Sequence, residues 1–92
     1  MSDDGFRVLV AARCRVLAER AQKNVHQILN SSADPRDKMT RVSTHVGYIA
    51  GLKDICEETG DRESISAVDV CLRNAQKGLK ALETVTVLWT TN

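Results

Sequence analysis

The sequence is poor in aromatic residues, with Phe6, Tyr48 and Trp89 the three it has. A core built from this chain must rest on Val, Leu, Ile and Ala. Its one proline, Pro35, leaves long stretches on either side open to helix. Cys14, Cys56 and Cys71 make an odd number with no C-x-x-C spacing, which argues against a disulfide framework. Each falls among apolar neighbours, where a thiol packs as a small hydrophobe, so a reducing compartment is expected. No apolar run approaches the ~20 residues that span a bilayer. The opening MSDDGF is acidic and lacks the basic-then-apolar layout of a signal peptide, so the expectation is a cytoplasmic protein. A formal net charge of +1 gives no global attraction to nucleic acid or membrane.

What is present fits packed helices. The chain has 92 residues, 42% of them hydrophobic and 27% charged. That is one domain, near the size at which burial becomes marginal without partners, since only about 60–65% of the unfolded surface can be covered. Charge is unevenly distributed. Between Gly5 and Asn30 lie Arg7, Arg13, Arg15, Arg20 and Lys23 against Glu19, whereas Asp54, Glu57, Glu58, Asp61 and Glu63 cluster later. These patches are expected to face each other, within one molecule or across a subunit contact, with Arg7 level with Glu57.

Apolar periodicity predicts three helices. Phe6, Val10, Cys14, Leu17, Ala21, Val25 and Ile28 form a stripe on a first helix at about 4–30, which Asp3 or Asp4 can cap. Asp34-Pro35 is the strongest local signal. Asp34 can accept from free amides, and Pro35 suits the first helical position, so a second helix begins at 35 and runs to 59, before Gly60. Its apolar residues form two stripes, Met39, Val42, Val46, Ile49 and Cys56 beside His45, Tyr48, Leu52 and Ile55, together roughly 200° wide. Two neighbouring helices are expected to cover that face. A third helix at about 64–83 carries Ile65, Val68, Leu72, Ala75, Leu79 and Leu82 at spacings of 3, 4, 3, 4 and 3, an a/d seam. The segment after Glu83, TVTVLWTTN, reads equally as a helical end or an extended arm. Short loops make successive helices antiparallel, so the expected fold is an all-α antiparallel hairpin extended to an up-down-up three-helix bundle within one domain, 1–92.

Chemistry finds little purchase. His45 and Cys56 stand eleven residues apart, hence roughly 16 Å along one helix, and cannot share an ion. No nucleophile or carboxylate lies within a turn of His45 on its face, and His26 falls on a polar side. The small all-α chorismate mutases place an Arg-Glu motif on long helices, whereas Arg62-Glu63 stands here at a turn. The reading is a protein with no catalytic residue, cofactor or metal. Nucleic-acid binding through Arg13, Arg15 and Arg20 is the alternative, although these residues project around several sides of their helix.

Surfaces for partners are better marked. Val8, Ala12 and Val16, with Leu9 beside them, form an apolar row away from the first helix's main stripe. Ser43, Gly47 and Gly51 form a row of small residues opposite the apolar face of the second helix, at about 1 kcal/mol per mid-helix glycine. With Trp89 they are the expected contacts to a protein partner, either another copy or a larger protein. Tyr48-Ile-Ala-Gly51-Leu-Lys-Asp54, flanked by two charged helices in a chain of this length, resembles short helical proteins from the structural gene modules of tailed bacteriophages. That resemblance implies a virion or assembly component present in many copies on larger structural proteins, found first in the host cytoplasm and then in the virion.

Overall fold

The chain is a three-helix bundle. In a computed structural model, which describes residues 3–91, α1 spans Asp3–Leu29, α2 Pro35–Thr59 and α3 Arg62–Thr91, with no strand among the described residues. Each pair of helices is in contact. The bundle is long and thin, 59 × 18 × 15 Å. Its radius of gyration, 15.4 Å, exceeds the roughly 12 Å of a compact chain of this length.

Helix boundaries follow from local chemistry. The Asp37 amide donates to Asp34 Oδ1 at 2.9 Å and the Lys38 amide to the Asp34 carbonyl at 3.0 Å. Pro35 then occupies the first turn, where its missing N–H is no loss. At the other end Gly60 turns the chain in the left-handed region, φ 73°, and donates to the Glu57 carbonyl at 3.2 Å. Lys38 reaches back across the first loop, its Nζ donating to the Leu29 carbonyl at 3.0 Å. The end of α1 is thereby satisfied by the start of α2.

Helix α3 is longer at both ends than the 64–83 expected. It begins beside Asp61, whose carboxylate accepts from the buried hydroxyl of Ser64 and whose carbonyl accepts from the Ile65 amide at 2.9 Å. Residues 84–91 are helical, not an extended arm. Thr84 and Thr86 donate their hydroxyls to the Lys80 and Leu82 carbonyls at 3.2 and 2.7 Å, and an established helix extends without a new nucleus.

The core is a seam in each helix. In α1 the buried residues are Ala11, Cys14, Ala18, Ala21, Val25 and Ile28, at spacings of 3, 4, 3, 4 and 3. Val42, Ile49, Leu52 and Cys56 meet them from α2, and Val68, Cys71, Leu72, Ala75 and Leu82 from α3. Two expectations are corrected here. Phe6, placed in the core stripe, is 62% exposed, with Val10 and Leu17 half-buried. The completely buried Ala11 and Ala18 turn the small side of α1 to the bundle axis and leave its bulkier residues at the edge. The broad face of α2 is also not covered. Leu52 is buried, but Tyr48 and Ile55 remain 46% and 49% exposed, because two neighbours do not enclose that much circumference.

Gly78 marks a close approach that sequence reasoning passed over. A Cβ there would lie 2.9 Å from Leu29 Cδ1, so glycine lets α3 press against the end of α1.

Candidate interaction surface

The predicted contact residues of α1 and α2 all lie at the surface. Val8 and Val16 are 61% and 44% exposed, with Ala12 between them, and Leu9 beside them is 61% exposed. On α2, Ser43, Gly47 and Gly51 face outwards, and a Cβ on either glycine would meet nothing within 4 Å. These rows are on different helices and do not converge into one site within the chain. Trp89 lies on the last turn of α3, and its side chain falls outside the described part of the structure.

The three arginines are dispersed. Arg15 Nε donates to Glu19 Oε1 at 3.3 Å, while Arg13 and Arg20 project from another side of α1. Arg15–Glu19 replaces the Glu19–Lys23 pair that spacing alone offers. The facing of the basic and acidic patches is also limited. Arg7 borders one cleft with Glu58 and Thr59 and another with Asp61, but among the described residues no ion pair joins it to the acidic cluster. Glu57 instead lies 3.8 Å from Lys53 on its own helix.

What sequence reasoning missed is the groove between α1 and α2 on the side away from α3. On α1 its wall repeats as Phe6, Val10, Arg13, Leu17, Arg20 and Asn24, at spacings of 4, 3, 4, 3 and 4. On α2 the matching wall is Arg41, His45, Tyr48, Leu52, Ile55 and Thr59, with the same spacing. Three clefts open along this line. Phe6, Val10, Ile55 and Thr59 border the first, Leu17, Arg20, Thr44, His45 and Tyr48 the second, and Asn24, Gln27, Arg41 and His45 the third. The middle cleft, of about 360 Å³, has Leu17 and Ala21 on its α1 side. The signal was available as a second heptad seam beside the buried one, but it reads as core until the number of neighbours is known.

The groove between α2 and α3 is different. Lys53 Nζ lies 3.0 Å from Asp69 Oδ1 across it, and Arg73 Nη2 lies 2.8 Å from Asp69 Oδ2. The hydrogen bond to Asp69 raises the Lys53 pKa above its ordinary value. The same bond, followed by the Arg73 charge, lowers that of Asp69. This charged strap crosses the α2/α3 side, whereas Leu17, Tyr48 and Ile55 line clefts on the α1/α2 side.

The thiols lie within the bundle. Cys14, Cys56 and Cys71 are buried and unbridged. Burial pushes the Cys56 thiol up, with nearby Cys14 adding to it, and burial likewise raises Cys71. Both are neutral, packed groups at physiological pH, unsuited to nucleophilic attack. Among the described residues no three His, Cys, Asp or Glu side chains gather at one point as metal ligands. None of the described helices is long and apolar enough to cross a membrane. No protein-family model matches the chain, and neither a curated protein nor a solved structure matches it.

Proposed function

We propose that this chain is a non-enzymatic structural or assembly protein that works by packing its helices against other proteins, itself included. In its fuller form the proposal is a multi-copy component of a tailed-phage virion bound to larger structural proteins, which the resemblance around Tyr48–Asp54 supports. The observation that carries the reading is surface area. The chain exposes 6195 Å² at a mass of 10.1 kDa. A compact monomer of that mass exposes about 5,300 Å². The difference, about 900 Å², is close to the roughly 800 Å² that each partner buries in a standard interface. Large apolar side chains contribute to it on α1 (Phe6, Val8, Leu9, Val16), on α2 (Tyr48, Ile55) and near the end of α3 (Val85, Val87, Leu88).

The test is the native mass by light scattering across a range of concentrations and salt. A particle larger than one chain that is insensitive to salt, and smaller in Gly47→Leu, supports assembly by helix packing. A second reading, a small nucleic-acid-binding regulator, draws on Arg13 and Arg20 sharing one wall of the groove with Arg41 on the other. Its signature would be binding that falls steeply with added salt and weakens when Arg13, Arg15 and Arg20 are replaced.

A further inference from the structure

We infer that the α1/α2 groove is a seat for one amphipathic helix of a partner protein, apolar along its centre and acidic along the flank that lies on α1. This rests on the helix-packing reading proposed above and names the chemistry of the partner. The groove has the form of a helix site. Its walls repeat every three and four residues on both helices, from Phe6 to Asn24 and from Arg41 to Thr59. Eighteen residues on each wall correspond to about 27 Å of helix. A helix laid there would complete a four-helix bundle and cover Phe6, Tyr48 and Ile55, which the chain itself leaves 62%, 46% and 49% exposed.

The flanks specify the charge. Arg20 lines the middle cleft, Arg41 the third and Arg7 the first, and Arg13 falls in line with Arg20 one heptad earlier on α1. Against these stand Glu58 at one end, with Asp4 and Asp61 on the other side of Arg7, and Asp37, which lies 4.0 Å from Arg41, at the other end. The α1 side is therefore basic at Arg13 and Arg20, whereas the α2 side sets Arg41 against Asp37 and Glu58, so an occupant whose acidic flank lies along α1 meets complementary charge there. A second copy of this chain offers α1 edges carrying Arg13 and Arg20 rather than an acidic flank, so it is the less complementary occupant of the α1 side. Nucleic acid would satisfy the arginines but leave Phe6, Val10, Leu17 and Ile55 without apolar contact.

The test uses the intact chain and two designed helical peptides of about 20 residues, with leucine at a and d, either glutamate or lysine along one flank, and uncharged residues along the other. Titration by fluorescence anisotropy is expected to give saturable binding of the glutamate peptide, at least about tenfold tighter than the lysine peptide. Tyr48→Glu and Ile55→Glu, each checked for retained helicity by circular dichroism, should abolish it. The double change Arg13→Glu and Arg20→Glu should reverse the preference. Equal affinity for both peptides, or binding of neither, overturns the proposal. So does binding untouched by Tyr48→Glu, displacement by a single-stranded DNA oligonucleotide, or a homodimer that Tyr48→Glu dissolves. The mass measurement above reads the broader assembly reading separately. Self-association lost in Gly47→Leu, with neither peptide bound, would remove the groove proposal and leave helix-packing assembly standing.

Discussion

Gly47 and Gly51 differ from Gly78 and Gly60 in what a side chain would meet. At the first two a Cβ enters open space, so alanine there should only relieve the backbone entropy of glycine. Gly47→Ala and Gly51→Ala are each expected to stabilise the isolated chain by about 0.5–1 kcal/mol in urea unfolding. Gly78→Ala should gain less, because its Cβ would displace the end of the Leu29 side chain. Gly60→Ala should lose about 1 kcal/mol, because its φ of 73° costs an L residue steric strain. The cysteines give a second check at this scale. With all three buried and the Cys56 and Cys71 pKa values raised, the native protein should react with a disulfide reagent far more slowly than the denatured chain. Fast labelling of the native state would mean that the bundle opens readily.

Helix ends and helix pairs carry the next set of effects. Asp34→Ala removes the acceptor that starts α2 and should cost about 1 kcal/mol. The Lys53–Asp69–Arg73 strap makes stability depend on pH with a definite sign. The folded Asp69 pKa lies below its unfolded value, so its contribution is present above about pH 4 and is lost as pH falls through the folded value. The melting temperature of the wild type should therefore fall towards that of Asp69→Asn on acidification below about pH 4. Lys53 has the opposite sign. Its raised pKa keeps its contribution intact below its ordinary value of 10.5, and that contribution is lost at still higher pH. The cap at Asp34, the glycine stop at Gly60 and the α3 seam were legible in the sequence because each depends on residues a few positions apart. The rotation of α1 was not, because Ala11 and Ala18 compete with Val10 and Leu17 for the core and only the packed neighbours decide between them. The helical state of 84–91 was obscured for a related reason, since Thr and Val have β propensity in isolation but continue a helix already formed. The open groove was hidden by the same limit: Tyr48 and Ile55 look like core until their neighbours are in place.

At the scale of the molecule, a thin bundle with one small core leaves large apolar side chains exposed on all three helices. Stability for a chain of this length is expected to be only about 5–14 kcal/mol. Truncating a completely buried residue such as Ile49 to alanine, at about 2–5 kcal/mol, should therefore remove a large part of it in urea unfolding. Covering the exposed rows by other helices would stabilise the fold by mass action, so thermal stability should rise with protein concentration if copies associate. The measurement that bears most directly on the central claim is the native mass in solution from dilute to concentrated protein, at low and high salt. An assembly held by helix packing has a mass above 10.1 kDa that grows with concentration, withstands salt and drops in Gly47→Leu. A mass of one chain throughout, unchanged by that substitution, would contradict it.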